Sequence, residues 1–199
     1  MEQVRLVLAS KNAHKARELR AAWPEWDVEL IAADALPEER GASFYENARG
    51  KAAFARETVE PGAWVLGEDS GLEVDGLGGK PGIRSARYGG AGASDAENVA
   101  KLLAELAGVE GEGRRARYVC ELVCLAPDSE ELRATGTLAG RIAARPRGVG
   151  GFGYDPVFVP EGQTRTVGEL GDDWKARHSH RAAAARALRD AILRRLRRV

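Results

Sequence analysis

The sequence predicts a mixed-sheet α/β protein, on three observations. Short apolar runs alternate with amphipathic helical patterns early in the chain, a run of strand candidates follows later, and 44% of the 199 residues are apolar. Thirty Lys and Arg offset thirty Asp and Glu, so the formal net charge is zero and the composition lacks the signature of disorder. At this length one compact domain over residues 1–199, in one or two lobes, is expected.

The elements follow in order. Val4 to Ala9 reads as a buried strand, and a helix from about Ala13 to Trp23 is stopped by Pro24. Val28 to Ala32 is the next strand. Ser43-x-x-Glu46 opens a second helix as a capping box, with Phe44, Ala48, Ala52 and Ala55 on one stripe. Trp64 to Gly67 is a strand. Ser94-x-x-Glu97 opens a third helix with Val99, Leu102, Leu103 and Leu106 as its apolar face, broken by Gly108 to Gly113. Strands are then expected over Ala116 to Ala126, Leu132 to Leu138, Arg141 to Ala143 and Pro156 to Val159, with a turn at Pro127-Asp128-Ser129. A helix from about Ser179 buries Ala185, Leu188, Ile192, Leu196 and Val199.

No apolar run approaches the roughly 20 residues of a membrane span. The start, Met1-Glu2-Gln3-Val4, lacks a secretory pattern. Cys120 and Cys124 are too far apart along one strand to bond, so they read as core thiols of a reducing compartment. Glu121 interrupts that strand without an evident reason. Charge is uneven: Lys175 to Val199 carries +8 and Glu25 to Glu60 carries −5. The basic end reads either as a phosphate or nucleic-acid surface or as a solvated helix with arginines in its last turn.

Glycine, 24 residues, is above the average of about 7%, and 15 fall in Gly67–Gly92 and Gly136–Gly153. Five constellations in and around these segments carry chemistry. Ser10-Lys11-Asn12-Ala13-His14-Lys15 runs from a strand end into a helix start, where unpaired N–H groups bind anions; the alternative is a simple Asn12 cap with solvated lysines. Glu68-Asp69-Ser70-Gly71 follows a buried strand and offers either a hard-cation site or a polar turn. Glu46 is explained by its capping position, and supports a metal only if that helix start faces Asp69. Phe152, among the glycines of Arg147 to Pro156, either stacks on a planar base or packs inward with Tyr154. Trp174-Lys175-Ala176-Arg177-His178-Ser179-His180-Arg181 brings cations to the start of the last helix, as phosphate or base contacts or as a solvated turn capped by Ser179.

These segments, in this order, resemble the Ham1/RdgB family of inosine triphosphate pyrophosphatases. The most specific stretches are Ser10-x-Asn12-x-x-Lys15-x-x-Glu18, Asp69-Ser70-Gly71-Leu72 and Gly78-Gly79-Lys80-Pro81-Gly82-Ile83-Arg84-Ser85-Ala86-Arg87-Tyr88. Gly150-Gly151-Phe152-Gly153-Tyr154-Asp155-Pro156 and Ser179-His180-Arg181 complete the match, which runs from Val4 to about Ala187. The resemblance implies an elongated two-lobed α/β fold, a central mixed β-sheet flanked by helices, and an active-site cleft between the lobes. It implies a cytoplasmic homodimer with no nucleic-acid or membrane partner. It implies Mg2+-dependent hydrolysis of ITP, dITP and XTP to the monophosphate and pyrophosphate, cleansing the nucleotide pool of deaminated purines.

Carried over by the resemblance, Ser10, Lys11, Asn12, Ala13, His14 and Lys15 contact the triphosphate. Asp69 is the catalytic, metal-linked carboxylate, Glu46 a second metal ligand, and Ser70 a substrate contact. Phe152, Gly153, Tyr154, Asp155, Lys175, His180 and Arg181 surround the nucleotide. Glu68 stands where many members have Asp, which leaves its metal role open. The expected chemistry is attack on the α-phosphorus by a water that Mg2+ orients, with Asp69 as proton acceptor. A donor such as Arg181 suits the C6 oxygen of hypoxanthine and xanthine and opposes adenine's amine. Two other readings are a Maf-type pyrophosphatase for pyrimidine or modified nucleotides and a non-catalytic nucleotide- or RNA-binding module.

Overall fold

The computed structural model describes residues 4–198. Its strands are β1 (Arg5–Leu8), β2 (Asp27–Leu30), β3 (Trp64–Val74), β4 (Arg115–Leu125), β5 (Glu131–Ile142) and β6 (Phe158–Pro160). They hydrogen-bond in the order β2-β1-β3-β4-β5-β6. β1 pairs parallel with β2 and β3, whereas β5 and β6 are antiparallel, so the sheet is mixed as expected. The helices are α1 (Ala13–Ala22), α2 (Phe44–Thr58), α3 (Asp95–Glu105), α4 (Val167–Leu170), α5 (Asp172–His178) and α6 (His180–Leu196). The chain divides into two compact units. The first comprises Met1–Asp69, Cys120–Gly136 and Arg181–Val199; the second comprises Ser70–Val119 and Thr137–His180.

In the first unit β1 is buried on both faces, which is why it reads as a continuous apolar run. Leu6 and Leu8 join a core with Leu19 of α1 and Leu188 and Ile192 of α6, whereas Val7 packs on the opposite face with Ala55 of α2. Each such leucine contributes about 1.5–3 kcal/mol by leaving water. Trp23, at the end of α1, donates its indole N–H to the Ala185 carbonyl of α6 at 3.0 Å. Asn12 caps α1 by accepting from the His14 and Lys15 amides. Ser43 caps α2, but Glu46 closes back on the Ala42 amide instead of that of Ser43. Cys120 and Cys124 are buried free thiols of one core. Val199 lies outside the described residues.

Three strands differ from expectation. β6 begins at Phe158 and not at Pro156, because Tyr154 to Val157 turn, with the Val157 and Phe158 amides both donating to the Tyr154 carbonyl. In the other two, glycine is the reason. β3 does not stop at Gly67; it continues to Val74, so Asp69 is in a strand and not in a turn after one. A Cβ on Gly67 would lie 1.9 Å from the Ala48 carbonyl oxygen, so this glycine is where α2 approaches the strand closely. Leu132 to Leu138 and Arg141-Ile142 form parts of a single strand, β5, which ends before Ala143. Gly140 within it admits the Phe158 ring and the Val159 carbonyl, which a Cβ would meet at 2.7 and 2.3 Å.

Two unexplained sequence features gain causes. Glu121 is buried, but Arg133 grips both its oxygens at 2.9 Å and the Thr135 hydroxyl donates at 2.7 Å. The basic C-terminal segment is balanced locally: Arg189 pairs with Glu25, and Arg195 with Asp128 and Glu130.

The second unit packs Val99 and Leu102 of α3, and Leu106 that caps its end, against Leu72, Val74, Ile142 and Phe158. Ser94 and Glu97 form a complete capping box at the start of α3. Ser85 is buried, accepts from the Leu72 amide at 2.8 Å and donates to the Gly82 carbonyl. Tyr154 packs inward and donates its hydroxyl to the Ser85 carbonyl at 2.8 Å. The glycine-rich loop is thus tied to the conspicuous Gly78–Tyr88 stretch of the sequence.

Candidate active site

Neighbouring residues of an extended strand point to opposite faces. Glu68 and Asp69 therefore part company on β3. Glu68 shares the face of α1 and α6, and Asp69 that of α2. Adjacent in sequence, the two carboxylates accept hydrogen bonds from separate side chains.

Glu68 is fully buried and ringed by donors. Its Oε2 lies 2.5 Å from Lys15 Nζ, and its Oε1 accepts from Arg181 Nη2 at 3.0 Å and Nε at 3.2 Å. The Cys120 thiol donates to the same Oε1 at 3.6 Å. Arg181 also pairs with Glu18. Burial alone would raise the Glu68 pKa, but Lys15, Arg181 and Lys51 hold it well below the usual carboxylate range. Burial and the Glu68 charge push the Cys120 thiol well up, keeping it protonated and able to donate.

Asp69 is buried against α2. Asn47 donates to its Oδ2 at 3.1 Å, and Lys51, one helical turn on, reaches its Oδ1 at 3.2 Å. Lys51 also donates to the Glu68 carbonyl at 3.1 Å and pairs with Glu39 at 2.5 Å. Burial raises the Asp69 pKa; Lys51 opposes this and Glu39 adds to it, leaving the net shift upward. For Lys51 burial disfavours the charge, and Asp69, Glu68 and Glu39 outweigh it, so the ammonium is held more tightly than usual.

At the head of α1 the Ser10 hydroxyl accepts from the Asn12 amide at 3.0 Å. Lys11 turns to the carbonyls of Ala33 and Asp34. Ala13 and His14 are exposed, with the His14 ring 3.3 Å from an Arg17 nitrogen. Glu46 is exposed at the first turn of α2.

Among the described residues no three His, Cys, Asp or Glu side chains converge as a metal cage. Asp69 and Glu46 are hard oxygen donors carried by β3 and α2, the strand and helix that Gly67 brings close. That chemistry fits a cation such as Mg2+, which takes one or two carboxylates and completes its shell with phosphate and water oxygens.

The second unit holds a different cluster. Asp155 is buried and satisfied on both oxygens. Oδ2 accepts from Lys175 Nζ at 2.6 Å and from the Phe152 amide at 2.9 Å, and Oδ1 from the Tyr118 hydroxyl at 3.2 Å. Lys175 Nζ stands 4.0 Å from the centroid of the half-buried Phe152 ring. Gly151 has φ +75°, and a Cβ there would meet Asp155 Oδ2 at 2.1 Å, so only glycine lets the loop fold onto that carboxylate. The Gly153 amide donates to Asp95 at 2.7 Å. His180 opens α6, buried, with its ring stacked on Tyr118 at 4.5 Å and 6°. Ser70 is half-buried on β3.

The structure thus gathers Lys15 and Arg181 on Glu68 and sets Asp69 against α2. It gathers Phe152, Asp155, Lys175 and His180 in the other unit. Lys11, His14 and Tyr154 face elsewhere: two to the surface and one into the core. Sequence reasoning missed Asn47, Lys51, Glu39 and Tyr118. One signal was present: Asn47 and Lys51 are polar residues one turn apart, each immediately before an alanine of the buried α2 stripe.

The first unit of this α/β protein carries lysine and arginine on buried carboxylates, a chemistry suited to phosphate; the second, taken by itself, carries an aromatic ring under a lysine, a chemistry suited to a planar ring. A sequence model of the Ham1 family matches residues 6–191, and the chain belongs to that family. A dITP/XTP pyrophosphatase of Bdellovibrio bacteriovorus is 49% identical over 154 residues, 77% of each chain. One of Methylococcus capsulatus is 47% identical over 190 residues, 92% of this chain and 94% of the relative. The Ham1 protein of Staphylococcus aureus superposes with a TM-score of 0.85 at 36% identity, covering 96% of this chain and 99% of its own.

Proposed function

We propose that this chain is a nucleoside triphosphate pyrophosphatase that hydrolyses dITP, ITP and XTP to the monophosphate and pyrophosphate, removing deaminated purines from the nucleotide pool. Family membership and relatives named dITP/XTP pyrophosphatases support the reading. The observation that carries it is the buried Asp69 carboxylate, its pKa raised, held by Asn47 and Lys51.

Asp69 accepts the proton of the attacking water as the new oxygen–phosphorus bond forms at the α-phosphate and the bond to the leaving pyrophosphate breaks. A carboxylate with a raised pKa is a better base for that task. Lys51 holds the aspartate in one rotamer and steadies its charge. Lys15 and Arg181 supply positive charge around the phosphates, with Ser10 to His14 as further contacts. Transition-state charge spread over phosphoryl oxygens makes such positioning and neutralisation most of the catalysis. Asp69 and Glu46 would hold Mg2+, which would supply further phosphate neutralisation. Phe152 stacks on the purine, and Gly153, Tyr154, Asp155, Lys175 and His180 shape its surroundings, with Ser70 as a further contact. Donors facing the C6 oxygen favour hypoxanthine and xanthine over adenine.

The working form is proposed to be a cytoplasmic homodimer. The free, buried cysteines accord with a reducing compartment, and no helix among the described residues is long and apolar enough to cross a membrane. The deciding experiment is pyrophosphate release from ITP, dITP and XTP beside GTP and ATP, with and without Mg2+. Magnesium-dependent release from the first three at rates well above ATP is expected; equal rates on ATP and ITP overturn the selectivity, and no release overturns the function.

A further inference from the structure

Tyr118 is a residue that no motif singled out. It lies in β4, nearly fully buried. Yet it makes two contacts of different kinds with two residues of the nucleotide cluster. Its phenol O–H donates to Asp155 Oδ1 at 3.2 Å, and its ring stacks face to face on His180 at 4.5 Å and 6°. The ring's remaining edge tilts against Phe158 at 4.7 Å and 49°, which fixes its plane.

The chemistry assigns each contact a consequence. Asp155 Oδ2 already serves Lys175 and the Phe152 amide, so Tyr118 anchors the other oxygen. A carboxylate fixed at both oxygens cannot rotate, and Lys175 follows it because that ammonium sits between Asp155 and the Phe152 ring. The parallel stack fixes the plane of the His180 ring.

We propose that Tyr118 is a positioning residue for the base-recognition cluster: through one hydroxyl and one ring face it locks the Asp155–Lys175–Phe152 platform and the His180 ring into a single preset arrangement. This rests on the function proposed above. Tyr118 touches no reacting atom, so it acts on nucleotide affinity and base selectivity and not on the chemical step.

Tyr118→Phe deletes only the hydroxyl and Tyr118→Leu deletes the stack as well. For Tyr118→Phe the KM for ITP is expected to rise by about 10-fold or more, the scale of one lost hydrogen bond to a charged group, with kcat within about 2-fold. Tyr118→Leu is expected to raise KM further and to narrow the preference for ITP over ATP. A second measurement needs no turnover: in the wild type and in Tyr118→Phe, proton NMR should find the His180 ring protons shifted upfield by the stacked ring, and Tyr118→Leu should abolish the shift. Unchanged KM and selectivity in both variants overturn the proposal, as does a fall in kcat at constant KM or an unshifted His180 in the wild type. A wild type that hydrolyses no purine triphosphate instead overturns the function, while the NMR result still reports on the stack.

Discussion

Lys51 Nζ stands 3.2 Å from Asp69 Oδ1, a buried contact made by a helix and a strand brought together at a glycine. Of the charges around Asp69, Lys51 contributes most to lowering its pKa. Lys51→Met therefore lets burial and Glu39 push the aspartate higher. A general base must be ionised to act, so the acid limb of kcat is expected to move to higher pH, with kcat at neutral pH reduced by about 10-fold or more. A pH–rate profile that keeps its acid limb in place contradicts the role.

Asp69→Asn keeps the shape of the side chain and removes its basicity. Turnover is expected to fall by about 10²–10⁴-fold, the usual worth of a positioned general base. Inosine nucleotide affinity, measured by calorimetry, is expected to change little. Near-normal pyrophosphate release from this variant eliminates Asp69 as the proton acceptor.

Glu68→Gln leaves Arg181 and Lys15 facing a neutral amide in a buried setting. Breaking one partner of such a network costs about 3–5 kcal/mol at neutral pH. Because the folded-state pKa of Glu68 is depressed, its stabilisation is full above the ordinary glutamate range and is lost as pH falls through that range toward the folded value. Thermal unfolding from pH 7 down to pH 3 should thus show the gap between wild type and variant closing in acid; a constant gap argues against the assignment.

Gly67→Ala forces a methyl into the Ala48 carbonyl, which a Cβ would meet at 1.9 Å. The overpacking is expected to cost about 1–3 kcal/mol. It should also separate Asn47 and Lys51 from Asp69, so kcat falls in the fraction that remains folded. Denaturant titration and steady-state rates on the same sample check both.

Most of the fold was legible because its signals are local. Ser43 and Ser94 cap where their spacing says, the alanine stripe of α2 is buried, and Pro127-Asp128-Ser129 turns. The early stop expected for β3 and the split expected in β5 share one cause. Gly67 and Gly140 looked like chain breaks, but each makes room inside a strand for a neighbour that sequence cannot display. The site divided in the same way. Residues beside glycine clusters or at helix starts were visible, whereas Lys51, Asn47 and Tyr118 lie within ordinary helix and strand and gain meaning only from partners distant in the chain. Glu121 is the converse: an anomaly in an apolar strand that became a satisfied ion pair once Arg133 was found beside it.

The first unit draws on three separated stretches of chain, and α6 supplies Leu188 and Ile192 to the same core as Leu6 and Leu19. Domains begin to fold as they emerge during synthesis, at roughly 5–20 residues per second. Here the ribosome must deliver α6 before the earliest strand can be sealed. Until then Glu68 waits without Arg181, and any product that stops short of α6 leaves the cell with a half-closed hydrophobic core to be degraded.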